Sequence, residues 1–171
     1  MTKVRLAGTV GDSITDGPGI RYTIFVQGCP HNCPGCHNPH THDFGGGKDV
    51  DIDVLLEEGM RNPLLCGVTF SGGEPMCQAR ALAELARKFR ERGVDDIACY
   101  TGYLCEDLLA GKVDGAKELL EQLDTLVDGP FIQARRTWEA KFMGSDNQRV
   151  IDVQRTLKEG KVVLDESERW N

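Results

Sequence analysis

The stretch Tyr22-Thr23-Ile24-Phe25-Val26-Gln27-Gly28-Cys29-Pro30-His31-Asn32-Cys33-Pro34-Gly35-Cys36 joins an apolar run directly to three closely spaced cysteines. The β-branched and aromatic residues at 22–26 predict a strand. The thiols of Cys29, Cys33 and Cys36 follow it in a loop. In parallel α/β architectures, ligands bind at the carboxyl ends of the strands. This stretch therefore predicts a thiol-rich site at one edge of a parallel sheet.

Apolar runs of the same kind recur along the chain and alternate with helical patterns. Further strands are predicted at 68–70, 97–100, 125–127 and 161–164. Apolar residues spaced i, i+3, i+4, i+7 predict helices over 82–89 and 116–123, and shorter helices are predicted over 54–60 and 152–158. The alternation of strand and helix indicates right-handed βαβ units, an α/β fold and a mostly parallel sheet.

The length of 171 residues limits how many such units the chain can hold. It corresponds to about one domain, so we expect a single domain over 1–171. A complete eight-unit barrel needs about 250 residues, so only a partial (incomplete) β/α barrel or an open sheet fits. Residues 28–42, which include all four histidines, are expected to form one long cluster loop.

Charge and cysteine usage exclude several classes of partner. With 20 basic and 27 acidic residues the net charge is -7, so we expect no direct nucleic-acid partner and no attraction to an anionic membrane surface. No apolar run approaches membrane-spanning length, and the start of the chain lacks a signal-peptide core. We expect a cytoplasmic protein, in which clustered cysteines indicate metal binding or catalysis rather than disulfides.

Each of the other central strands is followed by an unusual loop. These loops are Ser71-Gly72-Gly73-Glu74-Pro75, Thr101-Gly102-Tyr103 and Asp128-Gly129-Pro130-Phe131. Because the carboxyl ends of parallel strands share one face, we expect all of them to meet the cysteine loop at a single site.

Three thiols within eight residues predict a metal site. Soft thiolates select iron–sulfur clusters, zinc or copper(I). Zinc would need a fourth ligand from His37, His40 or His42. A 4Fe-4S cubane normally takes four thiolates, so three would leave one iron open for a substrate. We interpret the histidines as lining the cluster edge rather than ligating it, although the loop alone leaves both metals open.

Several of these motifs together resemble a known superfamily. The three cysteines after the first strand, with Ser71-Gly72-Gly73-Glu74-Pro75 after the second, resemble the radical S-adenosylmethionine (SAM) superfamily. Asp16-Gly17-Pro18-Gly19-Ile20-Arg21 is similar to the opening of glycyl-radical-enzyme activases. Residues 33–39, 126–131 and 144–152 resemble the small branch that activates anaerobic (class III) ribonucleoside-triphosphate reductase.

The resemblance implies an oxidoreductase with a defined reaction. Cys29, Cys33 and Cys36 would act as catalytic metal ligands for a 4Fe-4S cluster, whose open iron is chelated by the amino and carboxylate groups of SAM. Reductive cleavage of SAM would give a 5′-deoxyadenosyl radical, which abstracts hydrogen from a glycine of the large reductase subunit. Electrons would come from an external one-electron donor such as a flavodoxin or ferredoxin, since no second cysteine-dense segment exists.

The same resemblance implies the residues that contact SAM. Gly72 and Gly73 would let the backbone approach the methionine moiety, and Glu74 would fix its ammonium group. Glu74 could equally cap the helix that starts near Cys77. The backbone of Gly35, Cys36 and His37 would lie against the adenine, held through main chain more than by stacking.

Other assignments are left open or are less specific. The protein could activate another glycyl radical enzyme, of the pyruvate formate-lyase type, or it could be a zinc-stabilised binding module. Asp128 is expected either to cap a turn or helix or to contact SAM or a cation, and Arg149 either to form a surface ion pair or to pair with the SAM carboxylate. The scattered cysteines are expected to be small buried hydrophobic residues: Cys66, Cys77, Cys99 and Cys105.

Overall fold

A computed structural model describes residues 1–171 and contains one sheet of seven strands. In chain order the strands are β1 (Lys3–Ser13), β2 (Arg21–Val26), β3 (Lys48–Asp51), β4 (Gly67–Gly72), β5 (Ile97–Tyr100), β6 (Thr125–Asp128) and β7 (Arg149–Asp152). Their order across the sheet is β3-β1-β2-β4-β5-β6-β7.

The direction of the strands confirms a mostly parallel sheet. β2, β4, β5 and β6 pair in parallel. β1 is antiparallel to both β2 and β3, so β3 runs in the same direction as the central strands, and β7 is antiparallel to β6. The edge strands β3 and β7 pair with no further strand, so the sheet stays open. This is the α/β, incomplete-barrel arrangement that the sequence predicts.

The chain has five α-helices, of which four lie between strands and the fifth follows β7. They are α1 (Ile52–Met60), α2 (Ala79–Glu91), α3 (Cys105–Leu109), α4 (Ala116–Leu120) and α5 (Val153–Glu159). The apolar stripe of α2 is fully buried, and the rings of Tyr22 on β2 and Phe89 on α2 lie 6.1 Å apart. One continuous core therefore joins the sheet to its helices. No helix has the length and apolar character needed to cross a membrane.

Most predicted elements lie where the sequence places them, but the strand expected at 161–164 is wrong. There the chain makes a single bridge, between Leu164 and Ile151, after Gly160 ends α5 in a left-handed conformation (φ 73°). The sequence patterns do not predict the strands β1, β3 and β7 or the short helix α3.

Candidate functional site

The carboxyl ends of β2, β4, β5 and β6 open into one cavity of about 540 Å³. Each of the four following loops contributes to its wall, for example through Cys29, Gly73, Thr101 and Gly129. The expected convergence of these loops is therefore confirmed. The volume lies within the range of small-molecule and cofactor sites.

The three clustered thiols lie along this cavity. Cys29, Cys33 and Cys36 are each half-buried and line its wall. The Cys36 amide donates to the Cys33 carbonyl at 3.2 Å, and the Asn38 amide donates to Cys36 Sγ at 3.4 Å. The Cys29 amide donates to the His42 carbonyl at 3.1 Å, which holds the two ends of the loop together. Local backbone bonding thus presents all three thiols to the same space.

The chemistry of these thiols fits an iron–sulfur cluster. Cysteine thiolates are the usual ligands of such clusters, and all three side chains line the cavity. Burial, with Glu74 and Cys33 nearby, raises the pKa of the Cys29 thiol. Ligation, which requires the thiolate, would therefore release a proton there.

The two glycines of the Gly-Gly-Glu loop lie where any side chain would clash with neighbouring backbone. Gly72 has a φ of 100°, and a Cβ there would lie 2.5 Å from the backbone nitrogen of Val26. A Cβ on Gly73 would lie 2.4 Å from the carbonyl oxygen of Gly28. The missing side chains let the β4 loop pack against the end of β2, while both glycines still line the cavity.

Glu74 is buried, with 1% of its surface exposed, and both of its carboxylate oxygens have two partners. Oε1 lies 2.6 Å from Nε2 of His31 and accepts from the Gly102 amide at 2.7 Å. Oε2 accepts from the Thr101 hydroxyl at 2.8 Å and from the Met76 amide at 3.0 Å. The bond from the Met76 amide caps the short 3-10 helix Pro75–Gln78, so Glu74 has the helix-capping role that the sequence indicates as its alternative. A ligand ammonium would have to displace one of these donors.

Of the three residues expected to face adenine, two lie on the cavity wall and one does not. Cys36 and His37 line the cavity, whereas Gly35 does not. Gly35 has a φ of 73°, and its carbonyl accepts from Nη2 of Arg136 at 3.4 Å. His37 is exposed, and its ring lies 5.2 Å from that of Phe131.

Asp128 and Arg149 lie beside the cavity but do not line it. The fully buried Asp128 accepts from the Cys105 amide at 2.8 Å, at the start of α3. It also pairs with Arg149, through Nε at 3.0 Å and Nη2 at 2.5 Å, and Arg149 pairs in turn with Glu106 at 2.6 Å. These contacts support the capping and ion-pair roles. They raise the pKa of Arg149 and lower that of Glu106.

The scattered cysteines divide into two pairs. Cys99 and Cys105 are buried as predicted, and burial raises the pKa of Cys99 well above its usual value and that of Cys105 to about 11. For Cys66 and Cys77 the prediction is wrong, because both are exposed. Their flanking sequence does not reveal which side faces solvent.

Phe131 lines the cavity, as expected for the loop that follows β6. The sequence does not predict the rest of the wall that comes from the β6–β7 connection, where Arg136, Trp138, Phe142 and Met143 also line the cavity. An Arg-Arg-Thr-Trp run at 135–138 in an acidic chain was the available signal. Residues 132–143 have no strand or helix periodicity, so their sequence does not indicate that they reach the cavity.

The fold and the site are those of an iron–sulfur domain: residues 15–151 match the 4Fe-4S single cluster domain family, so a 4Fe-4S cluster is the cofactor of this domain. The chain is 33% identical to the anaerobic ribonucleoside-triphosphate reductase-activating protein of Vibrio cholerae, over 79% of this chain and 89% of that protein. It is 32% identical to the one of Escherichia coli strain K12, over 80% and 91%. The chain belongs to this family of activating proteins, in agreement with the resemblance of its motifs.

A second group of activases is similar over a shorter length. The chain is 39% identical to the pyruvate formate-lyase-activating enzyme of Clostridium pasteurianum, over 53% of this chain and 40% of that enzyme. The shared part thus leaves more than half of that enzyme unmatched.

Proposed function

We propose that this protein is a radical SAM activase that generates the glycyl radical of anaerobic ribonucleoside-triphosphate reductase. The observation that carries the proposal is the common cavity: Cys29, Cys33 and Cys36 line the same wall as Gly72, Gly73 and Glu74. A metal site and a loop suited to an amino-acid moiety therefore face one space, as a reaction between the two requires.

In this proposal Cys29, Cys33 and Cys36 would hold the cluster through their thiolates. When bound, it would supply the electron for reductive cleavage of SAM to methionine and a 5′-deoxyadenosyl radical, which would take a hydrogen atom from a glycine of the reductase. The protein positions these groups. The bonds from Gly28 to Thr41 (2.7 Å) and from Cys29 to His42 (3.1 Å) hold the thiol loop against the end of β2.

SAM contacts the two sides of the cavity in this proposal. Gly72, Gly73 and Glu74 form the methionine side, where the buried Glu74 carboxylate would exchange one of its present donors for a charge-assisted hydrogen bond to the ammonium group. The backbone of Cys36 and His37 forms the adenine side, with Gly35 behind it. Cys36 and His37 line the cavity, which supports a main-chain contact with adenine at these two residues.

The cellular context follows from the chemistry. Electrons come from an external one-electron donor such as a flavodoxin or ferredoxin. The chain has a single cysteine-dense segment, which in this proposal holds the 4Fe-4S cluster, so no second cluster delivers electrons to it. The protein acts in the reducing cytoplasm, where free thiols persist. Its net charge of -7 gives no general attraction to nucleic acid or to an anionic membrane.

The reductase is preferred over a pyruvate formate-lyase type of target because of the length of the match. The reductase-activating relatives are matched over 89% and 91% of their own length, against 40% for the pyruvate formate-lyase-activating enzyme.

Anaerobic reconstitution followed by turnover tests the proposal. The wild-type chain should bind about four irons in a brown protein, whereas a zinc-stabilised module would bind one colourless zinc. With reductant, SAM and the purified reductase, it should form 5′-deoxyadenosine and a glycyl radical visible by electron paramagnetic resonance. Cys33→Ala should abolish both products, and Cys66→Ala, an exposed thiol outside the cavity, should not. Absence of both products from the wild-type chain would refute the proposal.

A further inference from the structure

Three residues of the β6–β7 connection form a contiguous surface at the mouth of the cavity. We call Phe131, Arg136 and Trp138 the rim patch. The Arg136 guanidinium lies 5.4 Å from the centre of the Phe131 ring and 5.3 Å from that of Trp138. All three residues line the cavity, yet Trp138 is 81% exposed. The patch therefore faces both the cavity and the solvent.

The charge of Arg136 is not neutralised within the chain. Its guanidinium makes no ion pair, and its one hydrogen bond is the long contact to the Gly35 carbonyl at 3.4 Å. The adjacent Arg135, by contrast, pairs with Asp146 at 2.6 Å. A guanidinium carries five N–H donors, so most of those on Arg136 are free for an acceptor from outside. It is a cationic site on a chain whose net charge is -7.

The composition of the rim patch is typical of the centre of a protein–protein interface. Tryptophan and arginine are the residues most enriched among those that dominate binding energy. Single exposed apolar residues are ordinary on a protein surface. Here an exposed tryptophan is combined with an aromatic neighbour and an unpaired cation, which gives a partner an apolar surface and a charge together.

The position of the patch indicates what binds there. In the proposed function, a glycine of a second protein has to reach the cavity, so its chain passes the mouth. A small ligand held inside would leave the solvent-facing side of Trp138 uncovered, whereas a protein segment entering the mouth would cover it.

We propose that the rim patch docks the glycine-bearing segment of the protein substrate, with a carboxylate of that segment paired to Arg136 and an apolar side chain packed on Trp138. This assignment rests on the proposed function and identifies the surface of this chain that recognises its partner.

The test compares two patch variants with two matched controls. Trp138→Ala removes the aromatic surface and Arg136→Gln the charge. Leu64→Ala truncates a side chain that is 66% exposed outside the cavity, and Arg61→Gln removes the same charge from another exposed position outside it. Each cluster-loaded protein is assayed with SAM for its affinity for purified anaerobic ribonucleoside-triphosphate reductase, for glycyl radical yield, and for 5′-deoxyadenosine formation with chemical reductant alone.

Each patch variant should raise the Kd for the reductase about tenfold and lower the radical yield at limiting reductase. A tenfold loss of affinity is expected when one of the residues that dominate an interface is replaced. Because both residues also line the cavity, SAM cleavage without reductase is compared at saturating SAM, and any loss there should be much smaller than the loss of reductase affinity and radical yield. Arg136→Gln should also flatten the dependence of Kd on salt, because the charge pair is screened by ions. Both controls should behave as the wild type.

Three results would contradict the assignment in separate ways. Wild-type affinity and radical yield in both patch variants would refute docking at this surface. A loss of SAM cleavage without reductase as large as the loss of radical yield would make the patch part of the SAM site instead of a docking surface. A wild-type chain that cleaves SAM but neither binds nor activates the reductase would refute the proposed function, and the docking assignment with it.

Discussion

Nε2 of His31 lies 2.6 Å from Oε1 of Glu74, which connects the cysteine loop after β2 to the Gly-Gly-Glu loop after β4. The His31 ring packs edge-on against Tyr103 at a centroid distance of 4.6 Å, and the Gly102 amide donates to the same carboxylate. Glu74 thus holds together the loops that follow three parallel strands. Its carboxylate has a structural role even before any ligand binds.

We predict that Glu74→Gln destabilises the cofactor-free chain by about 2–3 kcal/mol. This is the cost of placing one buried N–H donor against another with no acceptor between them. Oε1 accepts from the Gly102 amide and Oε2 from the Met76 amide, so the new NH₂ group faces a backbone N–H in either orientation. Urea unfolding measures the loss. Glu57→Gln, which breaks only an exposed pair with Arg92, should cost less than about 1 kcal/mol. If Glu74→Gln unfolds as the wild type does, Glu74 serves a ligand alone.

The central strands could be predicted because burial makes their sequences continuous. Residues 22–26 and 97–100 are apolar runs within the parallel part of the sheet, where both faces are covered. β1 lacks that pattern, since Gly8 and Gly11 interrupt it and its register shifts at two places. β7 is only four residues long, and its place at the edge is decided by its pairing with β6.

The thiols and the Gly-Gly-Glu loop could be predicted for a different reason, because their chemistry lies in short spacings within the sequence. Arg136 and Trp138 reach the cavity through tertiary packing instead. Phe142, further along the same connection, packs on Trp170 from the end of the chain at 5.3 Å, and Nζ of Lys141 donates to the Glu168 carbonyl at 2.6 Å. Contacts over such sequence separations leave no periodic pattern to read.

The ion pair between Asp128 and Arg149 provides a second prediction. Asp128→Ala should destabilise the protein by about 2–4 kcal/mol, because it removes the bond that caps α3 and leaves a partly buried guanidinium with one partner fewer. Thermal and urea unfolding measure the change. Glu106→Gln removes the exposed side of the same network and should cost less than about 1 kcal/mol. Equal losses of stability in the two variants would show that the buried hydrogen bonds of Asp128 contribute no more than the exposed ion pair between Glu106 and Arg149.

Thiol reactivity should follow the burial of the scattered cysteines. In the cluster-loaded native protein at pH 8, iodoacetamide should label Cys66 first and Cys77 more slowly. Cys77 is exposed, but partial desolvation of its thiol and the nearby Glu74 raise its pKa. Cys99 and Cys105 should stay unlabelled. With a pKa of about 11, Cys105 has only about one thiolate in a thousand molecules at pH 8.

Peptide mass spectrometry over a time course measures this order. Unfolding in urea is the control, since it should make Cys99 and Cys105 as reactive as Cys66. Labelling of Cys105 in the native protein at the rate of Cys66 would contradict the burial described above. Raising the pH should speed native labelling of Cys77 in proportion to its thiolate fraction.

The two tryptophans of the chain should differ in their contribution to stability. Trp170 is 1% exposed, packs edge-on against Phe142 and lies 5.9 Å from the guanidinium of the buried Arg21. Trp170→Ala should lower the free energy of unfolding by about 3 kcal/mol, because it leaves a cavity in the core. This is at the lower end for such truncations, since the buried indole N–H has no hydrogen-bond partner and removing it offsets part of the cost of the cavity. Trp138→Ala should change the free energy of unfolding by less than about 0.5 kcal/mol.

Urea unfolding followed by circular dichroism measures both tryptophan variants on the same scale. Fluorescence gives an independent check, since Trp138→Ala leaves only the buried Trp170, whose emission should lie at shorter wavelength than that of the Trp170→Ala protein. The Phe142 carbonyl also accepts from the Tyr100 hydroxyl at 2.9 Å, so losing Trp170 should loosen the wall of the cavity and raise the Kd for SAM. Equal stability of the two variants, or emission in the reverse order, would mean that the end of the chain is not packed against this wall.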